Sequence, residues 1–371
     1  MIPVCEPKFF GNEKKYVQEC LDTNWISSAG RFIPLFEESF AEFIGVKHGV
    51  SCCNGTVAIH MAMEALGVKK GDEVIIPDFS NIATANGVIL SGAKPVLVDI
   101  DKNNFCIDPK KIEEKVTSRT KAILVVHLYG HPADMDPILD IAGKHNLFVV
   151  EDCAEAHGAE YKGKKAGGLG DIATFSFYAN KIVTTGEGGM VLTNNKELAE
   201  RACLIRNLGF TEPRFHHYLL GFNYRLTNMQ AAIGYAQMEK IDQILKEKLS
   251  IMNKYNKLLK GAKGIILPKE APWAKNVYWM YTILIEPEFR LKKEEVMKKL
   301  RDQGVDTRSV FYPFHKQPLF VNGSDERFPD CNGKYPVSDK IADKGMYLPS
   351  GLGLTNRQIT KVCNALLSLR E

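Results

Sequence analysis

Lys181 has the clearest chemical potential in the chain. It closes the run Thr174-Phe175-Ser176-Phe177-Tyr178-Ala179-Asn180-Lys181 and leads into Thr184-Thr185-Gly186-Glu187-Gly188-Gly189. A lysine between an apolar strand and a glycine-rich turn could form a Schiff base. That role requires the amine to lose its proton, and partial burial near other positive charge favours the neutral form. The glycines permit tight turns and close backbone approach to a ligand. A surface lysine ahead of a hairpin would have the same local sequence. The glycines do not spell G-x-x-x-x-G-K-[ST], so no Walker loop is present.

Two other clusters bear on the same chemistry. The apolar run Leu147-Phe148-Val149-Val150 ends in Glu151-Asp152-Cys153-Ala154-Glu155-Ala156-His157. Carboxylates at the end of a strand in an open α/β sheet stand where ligands gather. Asp152 could equally cap the following turn, and Glu155 and His157 are common residue types at surfaces and in cores. Ser51-Cys52-Cys53-Asn54-Gly55-Thr56-Val57-Ala58 opens a helix with small and polar residues. Its free N–H groups could cradle a phosphate at the positive helix end, although Asn54 or Thr56 could be an ordinary N-cap.

The elements that must position these residues follow an alternating pattern. Helices are expected over 54–66, 83–90, 135–145 and 196–206, and strands over 73–77, 95–98, 122–126, 147–150, 173–177 and 189–193. Short strands alternating with helices predict a mostly parallel sheet covered on both faces. A long helical stretch is expected from Thr227 toward Leu259. Beyond it come a strand over 278–285, an amphipathic helix over 292–303 and a closing helix over 355–369. This predicts a large domain, residues 1–240, followed by a smaller C-terminal α+β domain, residues 241–371.

Composition narrows the function class. The 371 residues are 45% hydrophobic and 25% charged, with a formal net charge of +4. Basic and acidic residues alternate without a polybasic tail, which argues against nucleic-acid or membrane binding. Nine cysteines, none in C-x-x-C spacing, fit reduced thiols in a cytoplasmic protein better than a disulfide framework. No apolar run approaches the roughly eighteen residues of a membrane helix, and no metal-ligand motif stands out.

Taken together, the clusters resemble the DegT-type nucleotide-sugar aminotransferases, pyridoxal 5′-phosphate (PLP) enzymes with the type I, aspartate-aminotransferase-like fold. Asn54-Gly55-Thr56, Glu151-Asp152-Cys153-Ala154-Glu155-Ala156, Ser176 to Lys181, Thr185-Gly186-Glu187-Gly188-Gly189-Met190 and Asn223-Tyr224-Arg225-Leu226-Thr227-Asn228 occur in family order. Five motifs in register are far more specific than any one alone. The resemblance implies that Lys181 bonds the cofactor, Asp152 pairs with the pyridinium nitrogen and Glu155 lies near the 3′-oxygen. Gly55, Thr56 and Ser176 would bind the phosphate, with Asn223 reaching it from the neighbouring subunit of a homodimer. Trp25, Ser27, Ser28, Arg225, Arg308 and His315 would contact substrate. Asn81 stands where relatives carry an aromatic that covers one face of the ring, and it cannot stack in that way.

The implied reaction moves the amino group of L-glutamate onto a nucleotide-linked 4-keto-6-deoxy sugar, with GDP-4-keto-6-deoxymannose as the leading substrate. Another keto-sugar is the alternative that Asn81 keeps open. A related dehydratase carries His where this chain has Lys181, and a non-catalytic sensor would not need Lys181, Asp152 and Glu187 intact.

Overall fold

The computed structural model describes residues 1–370. In chain order the first half holds α1 (Glu13–Asp22), α2 (Phe32–Ile44), β1 (His48–Cys52), α3 (Gly55–Ala65), β2 (Glu73–Pro77) and α4 (Ile82–Leu90). It continues with β3 (Lys94–Val98), β4 (Thr120–Val126), α5 (Met135–His145), β5 (Phe148–Asp152), the short β6 (Glu160–Tyr161) and β7 (Lys164–Lys165), and β8 (Ile172–Ser176). Then come β9 (Gly189–Thr193), α6 (Lys196–Arg206), α7 (Asn228–Met238) and α8 (Ile241–Leu259).

Among the described residues β1, β9, β8, β5, β4, β2 and β3 form one seven-stranded sheet in that spatial order. Pairing is parallel from β8 through β5, β4 and β2 to β3, and antiparallel at β1–β9 and β9–β8. Strands such as Glu73–Pro77 and Ile172–Ser176 are buried at every position, because helices cover both faces. The mostly parallel sheet with antiparallel pairing at one end agrees with the type I arrangement expected from the sequence.

Parallel pairing puts the carboxyl ends of β2, β4, β5 and β8 on one edge. Asp78, Asp152 and Ser176 lie there, one at or just beyond the end of each of three strands. The start of α3 arrives at the same edge. Asn54 caps it by accepting from Val57 N–H at 3.0 Å.

The last third of the chain adds β10 (Ile265–Ile266), β11 (Ala274–Lys275), β12 (Tyr281–Ile285), α9 (Lys293–Asp302), β13 (Arg308–Ser309) and α10 (Pro318–Asn322). It ends with α11 (Pro336–Lys344), β14 (Gly345–Leu348) and α12 (Asn356–Ser368). Strands β10, β12, β14 and β13 form a separate four-stranded sheet. Its core, with Tyr255, Tyr281, Phe289 and Leu300, is distinct from the core around the large sheet.

The structure departs from the expected single helix over 227–259. The backbone leaves helical geometry at Lys240 (φ −122°, ψ 14°), and α7 and α8 are separate. Glu239, at the break, accepts from the Tyr16 hydroxyl at 2.7 Å and from Asn12 at 2.8 Å. A tertiary contact with α1 therefore occupies the junction. No described helix is long and apolar enough to cross a membrane.

Candidate active site

Asp152, Glu155 and Lys181 converge on one cavity of about 560 Å³ at the carboxyl edge of the large sheet. Asp152 ends β5 and is buried. Its Oδ1 accepts from Ala154 N–H at 3.1 Å and its Oδ2 from the Thr84 hydroxyl at 3.0 Å. Burial raises its pKa, opposed by Ala154, Thr84 and the charge of Lys181. Glu155 is held by Tyr129 N–H, which donates to Oε2 at 2.7 Å. Burial pushes this carboxyl up as well, while Lys181 pulls it down.

Lys181 follows β8 in the turn that returns the chain to β9. Its N–H donates to Tyr178 O at 2.9 Å, which fixes the start of the glycine turn. Desolvation lowers the amine's pKa, opposed by Glu155, Asp152 and Cys5. The lysine therefore has the environment a proton-accepting amine needs. Nζ lies 3.8 Å from the centre of the Trp279 ring.

The opposite wall is the N-terminus of α3. Among the described residues, no protein acceptor lies against the N–H groups of Gly55 and Thr56, the first two of the helix. A side chain at position 55 would put its Cβ 2.6 Å from Ser176 Cβ, so only glycine lets the helix start approach that hydroxyl-bearing residue. An anion cradle, an amine and a buried carboxylate thus share one chamber. That donor set fits PLP: the cradle suits its phosphate, the amine its carbonyl carbon and the carboxylate its ring nitrogen.

The predicted site residues divide into two groups. Gly55, Thr56, Asn81, Asp152, Glu155, Ser176 and Lys181 line the cavity. Asn81 spends its side chain as the cap of α4, accepting from Ala83 N–H at 3.0 Å. The aromatic rings on the cavity wall are those of Tyr178 and Trp279.

The remaining residues do not line it. Asn223 is exposed, on a bridge with Asn207. Arg225 donates to Asn207 Oδ1 at 2.8 Å and shares a second cavity with Ser28 and Arg206. Trp25, Ser27 and Arg308 are exposed, and Arg308 pairs with Asp306 at 2.6 Å. His315 is enclosed, with Nδ1 2.7 Å from Asp78 and Nε2 3.3 Å from Asp339.

Sequence reasoning missed Thr84 and Trp279. Thr84 stands four residues after Ser80 on the helix that follows β2, and that spacing could have suggested a hydroxyl pair. Trp279 gave no local signal, since it meets Lys181 from 98 residues away.

Residues 8–367 match the DegT/DnrJ/EryC1/StrS aminotransferase family. The chain is 46% identical to the GDP-perosamine synthase of Caulobacter vibrioides, over 98% of this chain and 97% of the relative. It is 43% identical to the GDP-perosamine synthase of Escherichia coli O157:H7, over 98% and 97% of the two chains. Among solved structures, Helicobacter pylori PseC, an aminotransferase involved in pseudaminic acid biosynthesis, superposes with a TM-score of 0.92 at 26% identity, covering 99% of this chain and 98% of that one. DesV of S. venezuelae gives 0.90 at 33% identity, over 97% and 94%. These matches show that the chain belongs to the DegT/DnrJ/EryC1/StrS family and is a PLP-dependent sugar aminotransferase.

Proposed function

We propose that this enzyme moves the amino group of L-glutamate to C4 of GDP-4-keto-6-deoxymannose, giving GDP-perosamine. The observation that carries the reading is the convergence of Lys181, Asp152 and the α3 cradle, in a chain whose similar relatives include GDP-perosamine synthases.

PLP, when bound, supplies an electron sink that makes the donor's α-proton removable. The protein's residues do the rest. Gly55, Thr56 and Ser176 would hold the phosphate, and Asp152 would keep the ring nitrogen protonated. Glu155 would lie near the ring oxygen, and Asn81, which also lines the cavity, would lie beside the cofactor. Lys181 Nζ would anchor the cofactor, and when free it would take the proton from the glutamate α-carbon and hand it to the cofactor carbon that receives the amine. In the second half the same amine would carry a proton the opposite way, from that cofactor carbon to the sugar carbon that becomes the amine carbon. Substrate and donor use one site in turn, so the kinetics are ping-pong.

The site is shared between two copies of the chain in this reading. Asn223 does not line its own cavity, and the loop before it exposes Phe215, Tyr218 and Leu220 at 70%, 76% and 79%. A homodimer covers that apolar surface and delivers Asn223 to the partner's phosphate cradle. Trp25, Ser27, Ser28, Arg225 and Arg308 then face sugar and diphosphate. His315 contributes by anchoring its segment to Asp78. The nine free thiols suit a reducing cytoplasm.

The test offers GDP-, UDP- and dTDP-linked 4-keto-6-deoxy sugars to the cofactor-loaded protein with L-glutamate, and follows 2-oxoglutarate and the aminated sugar by mass spectrometry. The GDP sugar should be turned over fastest. Preference for another nucleotide overturns the substrate, and no 2-oxoglutarate with any sugar overturns the reaction.

A further inference from the structure

Trp279 lies at the beginning of the C-terminal sheet region, yet its indole forms the floor under Lys181. Nζ stands 3.8 Å from the ring centre. Three attachments fix the indole. Its Nε1–H donates at 2.8 Å to the carbonyl of Asn180, the residue just before the lysine. Its own carbonyl accepts at 2.9 Å from Lys248, which also donates to Ser350 O at 2.5 Å. The rings of Tyr129 and Phe311 lie within 17° of parallel to it, at 6.3 and 6.5 Å. Tyr129 also holds Glu155 through its N–H. The ring under the amine and the carboxylate beside it therefore belong to one packed cluster.

Two kinds of neighbour surround the amine. Asp152 at the end of β5 and Glu155 just after it act on the amine through their charge, and the indole face lies against it. Cys5 of the N-terminal segment lines one small pocket with Lys181 and Lys248. His157, also close, is kept neutral by burial, which takes its pKa down to about 3. An aromatic face attracts an ammonium and offers a neutral amine much less.

We propose that Trp279 is a positioning residue for Lys181. Its indole face is the resting place of the amine whenever Nζ is not bonded to the cofactor, and it holds the protonated form against the cavity wall between proton removal and proton return. This rests on the reading of Lys181 as the proton carrier. The amine takes one proton and gives one back, so no further reactant is required.

The experiment reads Lys181 in apoprotein. An amine-reactive label is applied across pH 6–11, and the Lys181 peptide is quantified by mass spectrometry in wild type, W279F and W279L. W279F keeps an aromatic face, and its labelling curve should follow wild type. W279L should shift the curve to lower pH by about one unit, the size expected for a lost cation–π contact. In cofactor-loaded W279L the glutamate half-reaction should slow about tenfold, with its pH limb moved the same way and KM for glutamate unchanged. Near-UV circular dichroism checks packing, and W279M repeats the test if W279L does not fold. Superposed labelling curves for wild type and the non-aromatic variant overturn the proposal, as does equal slowing in W279F and W279L without a shifted limb. K181A separates the two readings. If it keeps the cofactor–lysine absorbance, the assignment of Lys181 falls; if it loses that absorbance while the curves superpose, Trp279 alone falls.

Discussion

Thr84 donates its hydroxyl proton to Asp152 Oδ2 at 3.0 Å, and Ser80 Oγ lies 3.0 Å behind it. Thr84 has one proton to give, and the carboxylate takes it. Ser80 must then be the donor in the second contact, so the relay points toward Asp152. Burial alone favours a neutral carboxyl here, and the relay opposes it. Thr84→Val removes the donor without changing shape. Its affinity for PLP should fall about tenfold, the scale of one hydrogen bond to a charged group. Thr84→Ser should bind as wild type does. Fluorescence titration of apoprotein checks both, and a valine variant with unaltered affinity removes the relay from the account.

Gly55 faces Ser176 so closely that an added Cβ would stand 2.6 Å from Ser176 Cβ and 3.0 Å from its Oγ. Both contacts are with the strand end that carries the hydroxyl, so the helix start must move back. Gly55→Ala should retain the wild-type circular dichroism but bind PLP at least tenfold more weakly, since both sides of the phosphate cradle shift together. Ser176→Ala removes one donor and moves nothing, so its loss should be smaller. If the two variants bind alike, backbone approach at position 55 is not what shapes the cradle.

Glu151 holds the strand end next to Asp152. Its Oε1 accepts from Leu169 and Gly170 N–H at 2.8 and 2.7 Å, and its Oε2 from Gly167 N–H at 2.8 Å and His127 Nε2 at 2.9 Å. Ala133 N–H donates to His127 Nδ1, so the imidazole proton is on Nε2. Burial raises this carboxyl, but His127 and the amides outweigh it and the net pKa is lowered. A carboxyl lowered on folding stabilises fully above the ordinary glutamate range, and the contribution is lost as pH falls through the lowered value. Glu151→Gln sets an NH₂ group against donors and should cost about 3 kcal/mol near neutrality. Urea unfolding at pH 7 and pH 4 checks this: the deficit should shrink at the lower pH, and an equal deficit at both contradicts the charge argument.

The residues that sequence made legible are those whose neighbours are local. Asp152, Ser176 and Lys181 stand at or just after apolar runs whose length and flanks mark buried strands, and a parallel sheet puts such ends on one edge. Other features depend on distant partners. The strand His48–Cys52 has no strong apolar run and exists because it pairs antiparallel with Gly189–Thr193. The break at Lys240 is invisible to periodicity, because Glu239 meets Asn12 and Tyr16 from the far end of the chain. Asn81 was legible as a departure from relatives, but not as the cap of α4. Trp279 reaches Lys181 only after the C-terminal sheet has formed.

Asp78 and His315 close the molecule on the other side of the same edge. Asp78 accepts from His315 N–H at 2.9 Å and pairs with its Nδ1 at 2.7 Å, while the Asp78 carbonyl accepts from Phe314 N–H at 2.7 Å. The imidazole stacks on Tyr335 at 4.6 Å. Burial lowers the pKa of His315, but Asp78 and Asp339 outweigh it and the net shift is upward, against the smaller opposing effect of Lys316. A histidine raised on folding stabilises fully below its unfolded value near 6.5. That stability is lost as pH rises through the raised value. Wild type should therefore lose stability between pH 6 and pH 9 by more than Asp78→Asn does, because the amide cannot favour the imidazolium. The same segment carries Phe311, whose ring lies 17° from parallel to Trp279. Neutralising His315 should thus loosen the wall near Lys181 as well. Urea midpoints for both proteins at pH 6, 7.5 and 9 measure the effect. Curves that stay parallel across that range would show that the pair holds the segment as a neutral hydrogen bond, with no contribution from its charge.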